Sequence, residues 1–449
     1  MNKPKCNVTR RIKKSEQKAY ATNKIGEMIK RSGKFLQTIC SDSGDCISFG
    51  SKVDEITNFF NGFTNFDYAL SPIQRLGKPS VNGFVKEIAY EKQGYKAYAI
   101  LKSSQNPTAD NLVYEYLVGI KFVNRIVKQF PCFVQTYGLY FYNSDVSWKI
   151  MKGSGPVHKA NLKNLTIQNS IDYGKACESS KYAAILIQHV KDAKPLSDFL
   201  SVSMYTRFLK NDLLYVLFII YQALASLSKV FTHYDLHSGN VLLYEPVKGK
   251  YIQYNYHQAD GSTIVFYSPY IVKIIDYGRS FFDNGNVNSR KIYDKICTVD
   301  KCKPNCGVSS GLGWLDPTPE LFISSSQKNE SHDLRLGNTI QKNMQQILNI
   351  VHMKPNEVTF VETDKILNKI AYGSGIHEKA HLEFGTRENL KVSIKKKIYN
   401  VNAVYKAVKE AVGMPSVIAE NMKNYSRFSN LLGSFHIYHD GRPMKYNAM

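Results

Sequence analysis

No stretch of this 449-residue chain is apolar for long enough to cross a bilayer. The longest candidate, Leu213 to Leu227, is interrupted by Tyr and Gln and keeps only about a dozen apolar residues, against the roughly 20 that a span requires. It reads as a buried helix. The N-terminus, "MNKPKCNVTRRIKKSEQKAY", carries charge with no apolar segment behind it, so no secretory signal is expected there. Acidic residues are scarce: 37 Asp and Glu stand against 59 Lys and Arg, a formal net charge of +22. That excess predicts attraction to polyanions such as nucleic acid, acidic protein tails or anionic membrane surfaces, without choosing among them. It implies no reading of base sequence, because phosphate contacts carry none. The positive charge gathers partly in the N-terminal arm and in "KVSIKKKIYN", residues 391–400. Cysteine pairs at zinc-binding spacing are also missing. Of eight cysteines, only Cys297, Cys302 and Cys306 in "CTVDKCKPNC" stand close together, without the two-residue spacings and fourth ligand that a zinc site wants. Free thiols in a reducing, intracellular compartment are the expectation. No internal repeat at a solenoid period is visible.

What is present fits a folded chain of two or three parts. Hydrophobic residues make up 43% of the chain, which excludes wholesale disorder. After the basic arm, helical periodicity is expected around residues 20–39, followed by a Gly- and Ser-rich loop, "SDSGDCISFGS". Strand patterns then appear at Gly83 to Tyr90, Tyr95 to Lys102, Phe133 to Tyr142 and Ala183 to Val190. A helix candidate, "ADNLVYEYLVGIKFVNRIV", lies between the second and third, with Asp110 near its start. Strands with one helix come early and helices dominate afterwards, so the fold class expected is α+β. The divisions expected are a basic, partly helical extension over 1–69, a β-rich lobe over 70–190, a helical lobe over 191–350, and a helical remainder with an appendage over 351–449.

The polar groups of "FTHYDLHSGNVLLYE", residues 231–245, raise the question of chemistry. Asp, Ser, Gly and Asn make turns in any fold, so a plain turn is one reading. The other is phosphoryl transfer, because Asp235 and Asn240 stand five apart, the D-x-x-x-x-N spacing of a phosphotransfer loop. There Asp235 accepts a hydroxyl proton and Asn240 coordinates a second magnesium. Partners elsewhere favour this reading. Lys102 ends the alternating strand "YAILKSS", placed to hold nucleotide phosphates, and Glu115 follows thirteen residues later within a helix, where it can pair with that lysine. Beyond a hairpin-like insertion, "IIDYGRSFF" presents Asp276, Tyr277 and Gly278, a D-x-G that carries the principal metal ligand. "LGKPSVNGFV" offers Gly77 and Gly83 as a phosphate loop, with Pro79 where a middle Gly is usual; a simple hairpin turn is the competing reading. "AAILIQHV" reads either as a core strand or as the strand entering a hinge. In the second case Ile187 lies at the back of a base pocket, and Gln188 to Val190 offer backbone groups to it.

In this order the parts resemble the eukaryotic-type protein kinase fold. Residues 233–282 are similar to haspin-type kinases in "DLH", "NVLL", the hairpin insertion and "IIDY". "NGFVKEIAY", "YAILKSS" and "FPCFVQTYGLYFY" look like divergent serine/threonine protein kinases of large nucleocytoplasmic DNA viruses, over roughly residues 70–345. The resemblance implies a bilobal fold, ATP and magnesium as cofactors, transfer to protein Ser or Thr, and an intracellular place, host cytoplasm or virion. It carries roles onto Lys102, Glu115, Asp235, Asn240 and Asp276.

The sequence also departs from that pattern. Tyr234 replaces the Arg that reads an activation-loop phosphate, and His237 replaces the Lys two residues after the Asp. "DLHSGN" is also close to the loop of aminoglycoside and choline phosphotransferases, so a small-molecule acceptor is an alternative. "DPTPELF" favours a protein acceptor: Thr318, Pro319 and Glu320 resemble the end of an activation segment, with Asp333 following as a buried brace for the catalytic loop. "TPE" is equally a good helix N-terminus. A third class is a non-catalytic scaffold that uses the fold and basic surface to bind a polyanion. His377 and His381 share a helical i, i+4 spacing but show no third ligand, so a surface or structural role is expected for them.

Overall fold

The computed structural model describes residues 37–77, 83–105, 112–171, 182–201, 206–298, 315–316, 323–351, 355–370, 372 and 398–449. Its architecture is α+β. The first large element is a six-stranded sheet, entirely antiparallel, with strand order β3 (Gln74–Leu76), β4 (Gly83–Lys92), β5 (Tyr95–Ser104), β8 (Ala183–His189), β6 (Thr136–Tyr142) and β7 (Leu165–Ile167). Alternation along β5 gives the sheet its two faces. Ala97, Ala99 and Leu101 are buried, while Tyr98, Ile100 and Lys102 are only half-buried on the other side.

The buried face is covered by residues that precede and follow β4 and β5. Helix α1 (Val53–Phe59) contributes Ile56 to this apolar cluster, and Phe60 and Phe63 follow it. Trp148 and Met151 of α3 (Asp145–Lys152) complete the cover. Ser144 caps α3, accepting the Ser147 amide, while the Ser147 hydroxyl accepts the Ser144 amide in return. Beneath the open face lies α2 (Leu112–Val118), which runs into a π-turn (Gly119–Val123) and one further turn (Asn124–Ile126). Asp110 lies outside the described residues.

A second core surrounds α4 (Leu213–Ser226). Twelve of its fourteen residues are buried, from Leu213 to Leu224, so this apolar run is an interior helix as its sequence predicts. Helices α6 (Leu334–Val351), α7 (Val358–Leu367), α8 (Val401–Val412) and α9 (Pro415–Asn424) complete this part, with α8 packed along α4. Among the described residues, no helix is long and apolar enough to cross a membrane.

Two small sheets bury residues in this second core and set up the polar loops. β10 (Phe231–Thr232) pairs with β15 (Phe281–Phe282). β11 (Val241–Tyr244) lies between β14 (Ile271–Ile274) and β9 (Lys194–Pro195). The loop 233–240 and the loop 275–280 therefore each begin on one sheet and end on the other. They must lie side by side, and the Ile275 amide donates to the Asn240 carbonyl at 3.0 Å.

Three expectations change here. The helical stretch expected to reach Ile39 ends, in its described part, as strand β1 (Thr38–Cys40), paired with β2 (Cys46–Ser48) inside the segment read as a loop. Its register sets Cys40 directly opposite Cys46, and the two form a disulfide rather than free thiols; Cys132 is a free, buried thiol. The C-terminal part is not helical throughout. Its amphipathic stretch breaks at Gly413 and Met414 into α8 and α9, because Pro415 opens a new helix at its first position. Strands β18 (Leu431–Tyr438) and β19 (Lys445–Ala448) follow, and β18 adds in parallel to β12 (Tyr251–His257) of the insertion, whose other neighbour is β13 (Thr263–Ser268). A further short pair, β16 (Leu315–Asp316) with β17 (Ile323–Ser324), precedes α6.

Candidate active site

The structure brings Lys102, Glu115 and Asp276 together; the pairing of Lys102 with Glu115 is the one expected from sequence. The Lys102 Nζ lies 2.7 Å from Glu115 Oε2 and 2.8 Å from Asp276 Oδ1, joining residues 174 positions apart. Lys102 projects from the open face of β5, and Glu115 from α2 with only 1% of its side chain exposed. Helix α2 is tied to the segment after Asp276: the Tyr114 hydroxyl donates to the Ser280 carbonyl at 2.6 Å and lies 2.8 Å from Ser289 Oγ. Burial alone would raise the Asp276 carboxyl; Lys102, with smaller help from His233 and Arg279, outweighs it and holds Asp276 below the usual carboxylate value. Asp276 has φ of 69°, a left-handed backbone for a non-glycine residue. Tyr277 anchors the turn from inside, donating to the Ile274 carbonyl at 2.5 Å and accepting the Val134 amide at 3.2 Å.

The loop between β10 and β11 is braced from α6. The Asp333 carboxylate accepts the His233 amide at 2.8 Å and the Tyr234 amide at 3.0 Å. Asp333 is 2% exposed, so it is the buried brace that its position in sequence suggests. His233 is also buried: its Nε2 donates to the Ile275 carbonyl at 3.0 Å and its Nδ1 accepts the Asp235 amide at 3.2 Å, which fixes the tautomer. Asn240 donates from Nδ2 to the Asp235 carbonyl at 2.9 Å, so its Oδ1 is the atom available as a ligand. Tyr234, at φ of 63°, points away from this cleft. It packs with Phe281 and Ile323, and its hydroxyl donates to the Gln327 carbonyl at 2.9 Å. Tyr234 is thus held from both its ring and its hydroxyl.

The remaining predicted residues fall less neatly. Gly77 ends β3 with φ of 63° and Gly83 opens β4, but residues 78–82 between them lie outside the described set. Gly83 is needed for close approach, because a Cβ would stand 2.6 Å from the Ser103 carbonyl oxygen. Gln188 does not offer its amide to a ligand. That N–H donates to the Gln135 carbonyl at 2.8 Å, and its side-chain oxygen accepts the Gln135 amide at 3.2 Å. Val190 is buried, and its carbonyl accepts from Ala193 at 3.3 Å. For the Gln188 amide the hinge reading is corrected: pairing to the segment before β6 has taken it. Thr318, Pro319, Glu320, Cys302, Cys306, His377 and His381 lie outside the described residues, as does the side chain of Cys297.

Two features escaped sequence reading. Arg335 reaches the loop from α6, with Nη1 3.2 Å from Asp235 Oδ1, and His237 Nε2 is 4.0 Å from the same oxygen. Burial pushes His237 below its ordinary value against the pull of Asp235. Register also aligns Glu87 of β4 with Ile100, on the same face as Lys102. Glu87 meets Lys191 at 2.7 Å and His189 at 3.1 Å, and those contacts outweigh the burial that would raise its carboxyl. Neither cluster has a local motif that could have announced it.

The donor set fits a magnesium ion shared with phosphates. Lys102 takes Asp276 Oδ1, leaving Oδ2 without a hydrogen-bond partner among the described residues, and Asn240, on the adjoining loop, has its Oδ1 oriented by the bond from its Nδ2. Magnesium favours hard oxygen ligands and is commonly held by one or two protein groups plus substrate phosphates, so a small protein set suffices. Among the described residues, no group of three His, Cys, Asp or Glu is arranged to hold a metal by itself. Comparison of the chain with known protein families and with curated proteins finds no match in either.

Proposed function

We propose that this protein is an ATP-dependent serine/threonine protein kinase with a bilobal protein-kinase-like fold, residues 70–190 forming the β-rich lobe and 191–350 the core of the helical lobe. The observation that carries this reading is the Lys102 ammonium held between Glu115 and Asp276 at 2.7 and 2.8 Å. Such a lysine is positioned to meet the α- and β-phosphates, with Glu115 fixing its direction. Asp276 and Asn240 would hold magnesium, which when bound neutralises phosphate charge and aligns the γ-phosphoryl group. Asp235 accepts the proton of the attacking hydroxyl as its oxygen bonds to phosphorus and the bond to the ADP oxygen breaks. General-base assistance of this kind contributes about a hundredfold to ten-thousandfold.

A protein acceptor is supported by Asp333, which braces the loop through two backbone amides. Small-molecule kinases of similar loop sequence usually lack such a brace paired with an activation-segment end like that of Thr318, Pro319 and Glu320. Purified protein with magnesium and labelled ATP, offered mixed protein substrates beside choline and an aminoglycoside, tests the reading. Label is expected in protein, with loss of at least about a hundredfold in Asp276→Ala. Label in a small molecule would shift the acceptor class, and undiminished transfer by Asp276→Ala would falsify the site assignment.

A further inference from the structure

Between His233 and Asn240 the loop carrying Asp235 contains no lysine or arginine. An aspartate that must sit beside a polyphosphate meets like-charge repulsion unless a cation lies close to it. Lys102 is committed to Glu115 and Asp276, and His237 stands 4.0 Å from the Asp235 carboxylate, beyond hydrogen-bond reach. Among the described residues, Arg335 is the cation that reaches it, at 3.2 Å. The arginine comes from the first turn of α6, two residues after Asp333 in the turn that leads into it, so the start of this helix grips the loop by its backbone and by the Asp235 side chain. Both partners keep part of their surface open, 21% for Arg335 and 25% for Asp235, so the pair is reachable from solvent. A guanidinium has five donors in a fixed plane, so it can hold one carboxylate oxygen and still present donors to a second anion.

We propose that Arg335 is the positioning residue for Asp235, supplying from α6 the positive charge that the loop itself lacks. This rests on the phosphotransfer reading above. Arg335 orients the carboxylate that receives the hydroxyl proton and offsets the repulsion between that carboxylate and the transferring phosphoryl group. Its contribution belongs to the chemical step and not to nucleotide binding. The fold does not depend on it, because Asp333 already ties α6 to the loop.

The test compares wild type, Arg335→Ala and Arg335→Lys in steady-state transfer from ATP with magnesium, alongside thermal unfolding. Arg335→Ala is expected to lower kcat about a hundredfold while the KM for ATP moves less than about threefold, the pattern of an interaction made in the transition state. Arg335→Lys should recover part of kcat. Low-millimolar guanidinium should raise kcat of Arg335→Ala and leave wild type unchanged, a response that a purely structural role would not give. A kcat for Arg335→Ala within about threefold of wild type, or a loss that appears mainly in KM, would overturn the assignment alone. So would a loss that guanidinium does not relieve in a variant that unfolds at the wild-type temperature. Absence of transfer by the wild-type protein itself would overturn the kinase reading and this assignment together.

Discussion

Tyr234 and Asp276 hold left-handed backbone angles of 63° and 69° in the two loops that lie side by side. Such conformations cost on the order of 1–3 kcal/mol each and persist where surrounding contacts over-determine them. For Tyr234 those contacts are its buried ring, its hydroxyl on Gln327 and its amide on Asp333. Removing Asp333 should therefore be costly. Asp333→Ala leaves two buried amides without an acceptor, and a loss of about 2 kcal/mol or more in denaturant unfolding is expected. Transfer activity should fall further than the fraction of unfolded protein explains. Tyr234→Phe separates the two roles of that side chain: it keeps the ring and loses one hydrogen bond. Its expected effect is about 1–3 kcal/mol in stability with little change in kcat of the folded fraction.

Helix α2 carries Glu115, and its register against the sheet depends on Gly119. A Cβ at that position would stand 2.1 Å from Thr136 Oγ1 and 2.6 Å from Thr136 Cβ. Gly119→Ala should push the helix off β6 and shift Glu115 away from Lys102. About 1–3 kcal/mol of destabilisation is expected from this overpacking. Adding Thr136→Gly should restore part of both stability and transfer activity, since it removes the atoms in the way. The helix itself was legible in "ADNLVYEYLVGIKFVNRIV", because apolar residues recur at helical spacing. The need for glycine at 119 was not, because the obstructing threonine belongs to another element. The same distinction holds for Lys102 and Gln188. Alternation along β5 shows that Lys102 faces away from Ala99 and Leu101, a local property. That the Gln188 amide is already taken by Gln135 depends on a neighbouring segment.

Across the whole molecule, the helical core contains a titrating group far from the cleft. Asp212 is 3% exposed and hydrogen-bonded by the Tyr425 hydroxyl, and burial pushes its carboxyl up from 3.8 to about 7. The folded state therefore binds this proton more tightly than the unfolded chain. The contribution is fully present below about pH 4 and is lost as pH rises through about 7. Asp212→Asn should flatten that part of the stability profile, as measured by urea unfolding between pH 4 and 8. Asp212 lies at a cavity of about 710 Å³ whose lining includes Arg207, Lys248, Lys250, Lys423 and Arg427. Together with the net charge of +22, this predicts retention on heparin that weakens steeply with salt. Salt-insensitive retention would count against a polyanion partner.

The proposed reaction class rests on residues that sit in short, ordered stretches. Asp235 and Asn240 share one loop, Asp276 follows an apolar strand by two residues, and Lys102 lies near the end of an alternating one. The α+β class followed from the same periodicities. Tertiary structure decided the rest: Arg335 beside Asp235 from one hundred residues away, β18 in parallel against β12, and Cys40 bonded to Cys46. Local spacing encodes which way a side chain points, because 2.0- and 3.6-residue periods are properties of the backbone. Which partner it meets depends on how distant faces are buried together, and no short stretch of residues records that.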